Sequence, residues 1–344
     1  MTQHNQSGVI CAGNWIVDIV HDIESWPEQN DLVRISDQKL GIGGGAANVV
    51  SDLRSFGVAF PLIPVGKIGK DRYGEFALNH CHDFNLPTTF IKVADQTPTA
   101  HTHVMSVPGG SRTFFYQGGT NDTLDTSDFP FAELRATGAR VFYLGYLMLL
   151  KSLEEFAVDG RTKAAHILAM ARDAGMITCV DLVSADSTQF AAIVCATLGD
   201  IDYLIINETE ASRSTGLPVT DENGSIESEA LLRCATRLLA QGVHKAVIIH
   251  SPDAALWLDH GEPVWSYPEA IPAQTIISSV GAGDAFCAGV VYGIHESWSV
   301  ENTLKLAHRA AGTALSGHTA TDGLRPLVQL VPELTTALGS IDTP

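Results

Sequence analysis

The stretch ISSVGAGDAFCAGVVYGI, residues 277–294, joins a glycine-rich turn to the start of an apolar helix. Gly281, Ala282 and Gly283 are small enough for backbone N–H groups to approach an anion, and the positive end of the helix dipole points to the same place. Asp284 falls in the first helical turn, where a carboxylate can accept a proton from a hydroxyl that attacks phosphorus. The pattern predicts an anion hole with a general base. For the motif taken alone, a tight turn with Asp284 as the N-terminal cap is the simpler interpretation.

The composition is that of a globular protein with a large core. The 344 residues are 45% apolar and 17% charged, which suits one large domain with a smaller appendage. The 39 acidic and 21 basic residues give a net charge of −18, and such a charge repels nucleic acid and anionic membranes. The sequence shows no basic N-terminal segment followed by a long apolar run. We therefore expect a cytoplasmic protein with no nucleic-acid or membrane partner.

Short apolar runs bounded by turns alternate with longer segments of helical period. The apolar runs include residues 141–147, 176–182, 202–207 and 245–250, and a helix is expected near 152–174. This rhythm indicates βα units around a mostly parallel sheet with helices on both faces. The predicted fold class is α/β, with a three-layer α/β/α core.

Two polar segments, residues 17–40 and 95–120, break this rhythm. They are partly alternating and rich in β-branched and aromatic residues, and the second reads as a hairpin through the turn PGGSR. Two excursions from one core into a small sheet predict a β lid over a cleft, with a decorated edge of the main sheet as the alternative. The α/β core then comprises residues 1–16, 41–94 and 121–344.

The second glycine cluster, KLGIGGGAANVVSDLRSFG, covers residues 39–57. Gly41, Gly43 and Ala46 match the spacing of a dinucleotide-binding fingerprint. That fingerprint should follow a buried strand, whereas the segment before this cluster is polar, and no acidic residue ends a second strand about 20 positions later. A dehydrogenase is therefore disfavoured.

The same cluster suits a small polyhydroxylated ligand. Gly44 and Gly45 let the backbone approach such a ligand, and Asn48, one turn into the helix, can both donate to and accept from a hydroxyl. Upstream, Asn14 and Asp18 are the polar residues of an otherwise apolar strand, which indicates a cleft edge. Asp18 is either the acceptor for two ligand hydroxyls or an ordinary turn carboxylate, and the sequence leaves both interpretations open.

The segment NETE, residues 207–210, directly follows an apolar strand. Asn207 and Glu210 are neighbours in the first turn of the following helix because they are three residues apart. A carboxylate that faces a phosphate site would recruit hydrated Mg²⁺. A capping box, in which Asn207 caps the helix and Glu210 reaches back, is at least as compatible with the pattern.

Taken together, these motifs resemble those of the ribokinase-like (PfkB) family of carbohydrate and nucleoside kinases, over nearly the whole chain. The order and spacing of the motifs are more specific than any one of them. The motifs are GGGAAN at 43–48, GGTNDTL at 118–124, NETE at 207–210, GAGD at 281–284 and TATDGL at 319–324. The resemblance implies a kinase that uses ATP and Mg²⁺ to transfer the γ-phosphoryl group to an alcohol.

The resemblance also implies roles for individual residues. Asp284 would be the catalytic base, with Gly281, Ala282 and Gly283 as the anion hole. The substrate-hydroxyl contacts would be Asp18, Gly44, Gly45 and Asn48, with Asn14 beside them. The nucleotide contacts would be Asn207, Gly281, Gly283 and Gly312, and Asn207 with Glu210 would hold Mg²⁺ through water.

Several features stay open. Ser278, Ser279 and Val280 stand where many family members carry Asp-Thr before the glycine turn, which puts a monovalent-cation site in doubt. A sugar is favoured as the acceptor, a nucleoside kinase is the alternative, and a non-catalytic sugar-binding regulatory protein is the hypothesis from another class. Phe114 and Phe115 either stack on a base or form the core of the lid. Exposed strand edges of the lid suggest a homodimer.

Overall fold

The computed structural model describes residues 7–107, 112–221 and 223–335, so residues 108–111 of the predicted PGGSR turn lie outside the described residues. The strands are β1 (Val9–Gly13), β2 (Ile16–Ile23), β3 (Ile35–Gly43), β4 (Leu62–Gly69), β5 (Phe90–Ala94), β6 (His101–Ser106), β7 (Arg112–Gln117), β8 (Val141–Gly145), β9 (Ile177–Asp181), β10 (Tyr203–Asn207), β11 (Ala246–His250), β12 (Ala255–Leu258) and β13 (Val264–Ser266). The helices are α1 (Gly45–Ser55), α2 (Arg72–Asp83), α3 (Phe131–Ala136), α4 (Lys163–Asp173), α5 (Phe190–Cys195), α6 (Glu208–Thr215), α7 (Ser228–Ala240), α8 (Ala282–Glu296), α9 (Val300–Ala314), α10 (Leu327–Leu330) and α11 (Pro332–Thr335). None of these helices has the length and apolar character that a membrane span requires.

The large sheet has the strand order β13-β12-β11-β10-β9-β8-β1-β4-β5. The neighbouring strands β11, β10, β9, β8, β1, β4 and β5 pair in parallel. Strands β12 and β13 are antiparallel additions at one edge. Parallel strands need crossover connections, and the helices supply them. The predicted α/β fold class is confirmed.

Helices cover both faces of the large sheet, because alternate residues of its strands face opposite sides. Val9 and Cys11 of β1 belong to the core cluster that contains the buried faces of α1, α8 and α9. Ile10 and Ala12 belong to the other cluster, which contains the buried faces of α4 and α7. The predicted three-layer α/β/α arrangement is therefore present, and it leaves only the ends of the strands open to ligands.

The small sheet has the strand order β3-β2-β6-β7. It is made from the two segments that break the βα rhythm, as the sequence predicts. Strand β2 begins at Ile16, and β3 continues to Gly43, past residue 40 where the predicted lid range ends. The small sheet therefore runs directly into Gly44 and the start of α1.

One predicted helix is shorter than expected. The helix expected near residues 152–174 begins only at Lys163, where the Thr162 hydroxyl accepts a hydrogen bond from the Ala165 N–H at 3.1 Å. Phe156 and Thr162 form an isolated β-bridge, so the residues before the cap fold into a turn. The helical period begins after this turn, and the earlier polar residues do not extend it.

We predict that Gly289→Ala destabilises the protein, although alanine favours a helix by about 1 kcal/mol over glycine. A Cβ at Gly289 in α8 would lie 2.6 Å from the Ala307 Cα of α9. Overpacking of this kind should lower the unfolding free energy by about 1–3 kcal/mol in urea denaturation. Gly199→Ala is the control, since a Cβ there meets nothing within 4 Å. An unchanged or raised stability for Gly289→Ala would contradict the close helix contact.

Candidate active site

The start of α8 brings the GAGD turn to the carboxyl end of the large sheet. Gly281 caps the helix with a φ of 81°, a left-handed conformation that favours glycine. A Cβ at this position would also lie 2.2 Å from the carbonyl oxygen of Ala320. The first N–H groups of a helix have no acceptor within the helix, so this turn presents donors and a positive dipole end to a ligand.

Asp284 lies in the first turn of α8, and its side chain is held by two distant segments. The Asn48 amide of α1 and the Tyr146 hydroxyl after β8 each donate a hydrogen bond to Asp284 Oδ2 at 2.8 Å. Asp284 Oδ1 is buried and has no partner among the described residues. Burial raises the pKa of Asp284 to about 6, although the bonds from Asn48 and Tyr146 favour the ionised form. This carboxylate is oriented, has one free oxygen and titrates near neutral pH.

The residues that the sequence predicts to contact the acceptor lie where β2 and β3 run beside the start of α1. Asp18 of β2 packs against Gly43, where a Cβ would lie 2.4 Å from Asp18 Oδ2. Burial raises the pKa of Asp18 to about 6, while a hydrogen bond from Thr102 and the charge of Arg112 act in the opposite direction. The structure therefore brings Asp18 into electrostatic range of Asp284, whose pKa it raises.

The remaining predicted acceptor residues surround the start of α1. Gly44 has a φ of 95°, and a Cβ there would lie 2.6 Å from the Asn14 carbonyl oxygen. The ring of Tyr146 packs closely on Gly45. Asn14 is fully buried, and its amide nitrogen donates to the Leu149 carbonyl at 3.0 Å. Its side chain thus fastens the loop after β8, which carries Tyr146.

Asn207 and Glu210 form the capping box that the sequence left open. The Asn207 side chain accepts from the Glu210 N–H at 2.8 Å, and Glu210 Oε2 accepts from the Asn207 N–H at 2.9 Å. Glu210 Oε1 accepts from the Ser184 hydroxyl at 3.0 Å. Burial raises the pKa of Glu210 to about 7. Both carboxyl oxygens are engaged, so these residues fit a hydrated magnesium ion better than a directly bound one.

Two adjacent clefts open at this end of the sheet. The first, of about 210 Å³, is lined by Asp284 and Gly281 together with Asn207 and Glu210. The second, of about 390 Å³, is lined by Gly312 and Ala282 and by apolar side chains. The apolar lining of the second cleft comes from Ile271, Phe286 and Leu315. Asn207, His250 and Gly283 line both clefts and so mark where they meet.

Tyr146 is a site residue that the sequence reasoning missed. It has a φ of 51°, and its N–H donates to Asp181 Oδ1 at 2.7 Å while its hydroxyl reaches Asp284. Burial raises the pKa of Tyr146 well above its ordinary value, so the hydroxyl stays protonated and remains a donor. Its position at the carboxyl end of a buried strand was the available signal, because ligands bind there in α/β sheets.

Arg112 and His308 were also missed. Arg112 of β7 donates to the Ser278 hydroxyl at 2.6 Å, which fastens the small sheet to the segment before α8. Arg112 is the only Lys or Arg in residues 95–120, and an isolated cation in this segment could have indicated a specific polar contact. His308 lines the second cleft, and its Nε2 is buried without a partner among the described residues. His308 lies on α9, and the sequence of that helix did not indicate that this side chain lines a cleft.

Comparisons with known proteins agree with this geometry. The sequence matches the profile for pfkB family carbohydrate kinases over residues 6–326. Ribokinase of Arabidopsis thaliana is 25% identical over 88% of this chain and 74% of its own length. The 5-dehydro-2-deoxygluconokinase of Clostridium perfringens is 24% identical over 85% of this chain and 83% of its own. The solved structure of Arabidopsis thaliana ribokinase complexed with ribose and ATP has a TM-score of 0.76 at 21% identity, covering 95% of this chain and 98% of that one.

The layered core and the separate four-stranded sheet define a ribokinase-like fold. The chain belongs to the pfkB family of carbohydrate kinases. The enzyme class that the sequence predicted, an ATP-dependent carbohydrate kinase, is confirmed by this membership.

We predict that Asp284→Asn raises the unfolding free energy at neutral pH. The pKa of Asp284 is about 6 in the folded protein against 3.8 as its ordinary value. The folded state therefore binds this proton more tightly, and stability falls as the pH rises from about 4 to about 6. The variant lacks this loss, so its advantage over the parent should be absent below about pH 4 and reach about 3 kcal/mol above about pH 6.

Urea denaturation of the parent and Asp284→Asn across this pH range measures the effect. Asp253→Asn is the matched control, because Asp253 is exposed. An advantage of Asp284→Asn that does not change with pH would show that the carboxylate is not destabilised by burial.

Proposed function

We propose that this enzyme transfers the γ-phosphoryl group of ATP to a hydroxyl of a small sugar, with Asp284 as the general base. The observation that supports the proposal is the buried Asp284 carboxylate, which has one unpartnered oxygen in the first turn of α8. A base with a pKa of about 6 is ionised at neutral pH and can still accept a proton from the attacking hydroxyl. Asn48 and Tyr146 hold the other oxygen, so they position the base.

The GAGD turn would act on the charge that develops during transfer. Backbone N–H groups of Gly281, Ala282 and Gly283 lie at the positive end of α8, where they can bind the phosphoryl oxygens. Such donors are fixed before the reaction, so no reorganisation is needed as the charge moves. The low dielectric of the buried site strengthens these interactions.

The nucleotide would occupy the cleft of about 390 Å³ beside Gly312, with the adenine against its apolar lining. Magnesium would be held through water near Asn207 and Glu210, and it would offset the negative charge of the phosphates. A monovalent cation is not part of this proposal. The Ser278 hydroxyl already accepts from the Arg112 guanidinium and from the Val280 N–H at 3.0 Å, and a cation beside a guanidinium is repelled.

Asp18 would bind acceptor hydroxyls, since it faces the site from β2. A nucleoside is the second candidate acceptor, and one observation favours it. Phe114 pairs with Val104 in the register that places Tyr116 beside Thr102, so both aromatic rings share the face of Asp18. Phe114 is 57% exposed and is available to stack on a base. Phe115 lies on the opposite face, where it stacks on Trp26.

The assignment predicts that Asp284→Asn loses turnover and keeps the fold. We expect ADP release to fall by roughly 10²–10⁴-fold, the scale of lost general-base assistance. The assay uses Mg²⁺-ATP with ribose, deoxyribose, 5-dehydro-2-deoxygluconate, adenosine and pseudouridine as acceptors. Asp253→Asn is the control and should match the parent. Undiminished turnover in Asp284→Asn would remove the base from the proposal, and no turnover with any acceptor would favour a sugar-binding regulatory protein.

We also propose that two copies of the chain associate through the outer face of the small sheet. Ile19, His103 and Phe115 are cross-strand neighbours on the face opposite Asp18, and Leu40 pairs with Ile19. Phe115 is 51% exposed and stacks on Trp26, which is 52% exposed. Ile19 itself is only 2% exposed, so the exposed apolar part of this face consists of Phe115, Trp26 and Leu40, which is 41% exposed. Such a patch on a sheet with open edges favours a protein partner.

This association predicts that Phe115→Glu dissociates a dimer. Light scattering of the parent should give twice the chain mass of 36.7 kDa, and the variant should give the single-chain value. Met170→Glu is the matched control, because Met170 is 47% exposed on α4, away from the small sheet. A parent of single-chain mass would exclude the dimer.

A further inference from the structure

A separate cleft of about 720 Å³ lies at the amino ends of the strands whose carboxyl ends form the active site. Its lining includes Arg140, directly before β8, and the first residues of β9, β10 and β11. Those three residues are Ile177, Tyr203 and Ala246. None of the residues that line it lines either active-site cleft. Its volume is in the range of small-molecule pockets.

The cleft contains two cations without acidic partners. Neither Arg140 nor Lys245 forms an ion pair with any carboxylate of residues 7–107, 112–221 and 223–335. Arg140 instead donates to the Ser297 hydroxyl at 2.6 Å, and Lys245 Nζ lies 5.6 Å from the centre of the Tyr203 ring. In a chain of net charge −18, acidic partners are abundant. Two unpaired cations in one concave site therefore indicate an anionic ligand.

Aromatic side chains also line the cleft. The rings of Tyr203 and Trp257 lie 5.7 Å apart at an angle of 59°, and Trp298 adds a third aromatic surface. Such surfaces bind planar rings by stacking. Two histidines also line the cleft, and both use Nε2 for contacts with protein groups: His244 with the Gly199 carbonyl and His260 with the His244 carbonyl.

One carboxylate, that of Asp259, is among the lining residues. Its Oδ1 accepts from the Gly261 N–H at 2.7 Å. Its Oδ2 is left to accept hydrogen bonds from neutral donors such as sugar hydroxyls. A carboxylate in the same cleft disfavours a simple inorganic anion and favours a ligand that carries hydroxyls as well as negative charge.

We propose that this cleft binds a mononucleotide. Arg140 and Lys245 would bind the phosphate, whose charge at neutral pH is close to −2. The base would stack on the half-buried rings of Tyr203 and Trp298, next to the buried Trp257, and the ribose hydroxyls would donate to Asp259. Each part of a mononucleotide thus contacts a different group of the cleft. A phosphate or a nucleoside alone would contact only some of these groups.

The cleft is independent of the catalytic nucleotide site. Ser297, which bonds to Arg140, directly follows the last turn of α8, whereas Asp284 lies in its first turn. At the helical rise per residue, the two ends are about 20 Å apart. A nucleotide in this cleft therefore contacts none of the proposed catalytic residues, and the two proposals fail separately.

The indole N–H signals of Trp257 and Trp298 report directly on this cleft in NMR spectra of the full chain. Trp257→Phe and Trp298→Phe assign the two signals. We expect adenosine monophosphate to shift both signals saturably in the parent. Arg140→Gln/Lys245→Gln should weaken this binding at least about ten-fold, because charged hydrogen bonds are lost. Arg233→Gln/Arg237→Gln removes the same net charge from the exposed face of α7 and should bind like the parent.

Two further binding measurements use the parent protein and do not depend on the folding of a variant. Inorganic phosphate and adenosine should each bind at least about ten-fold more weakly than adenosine monophosphate, since each lacks half of the contacts. Equal affinity for inorganic phosphate would overturn the nucleotide assignment. Absence of any shift at Trp257 and Trp298, or equal binding by Arg140→Gln/Lys245→Gln and the parent, would overturn the site itself.

Discussion

The two hydrogen bonds to Asp284 Oδ2 hold the active site together, because they connect three segments that are far apart in sequence. Asn48 brings the start of α1, and Tyr146 brings the loop after β8. The acceptor side, through Gly44 and Gly45, is continuous with the same helix α1. Burying a carboxylate costs stability unless donors compensate it, and the N-terminus of α8 adds its dipole to the two hydrogen bonds. In the proposed reaction, the oxygen that remains free would accept the proton of the attacking hydroxyl.

The strand-end residues were predictable, because a polar residue that ends a buried apolar run is visible in one sequence. Asn207, at the end of β10, was identified in this way, and the other three apolar runs lie within about two residues of β8, β9 and β11. The contacts of Asp284 were not predictable from spacing. Asn48 is 236 positions away and Tyr146 is 138 positions away, and only the folded sheet brings them together. Tyr146 was missed because a tyrosine after an apolar strand also suits an ordinary core position.

The segment that contains Asn207 and Glu210 was ambiguous for a different reason. The same residues, Asn207 and Glu210, suit a helix cap and a magnesium site, because both need an oxygen-bearing side chain in the first turn. The structure forms the cap, and burial raises the pKa of Glu210 to about 7. Both oxygens of Glu210 already accept hydrogen bonds, from the Asn207 N–H and the Ser184 hydroxyl. The cap and a water-mediated ion are therefore compatible, whereas the cap and a directly bound ion compete for the same oxygens.

The two halves of the proposed reaction lie on different parts of the fold. The base is on α8, which packs in the core, while Asp18 is on β2 of the small sheet. In the proposed reaction, an acceptor bound to Asp18 reaches Asp284 because the small sheet lies close to the start of α8. Arg112 makes a contact between the two, since its guanidinium on β7 donates to Ser278 just before the GAGD turn. Acceptor binding, alignment with the base and exclusion of water then depend on the same closed arrangement.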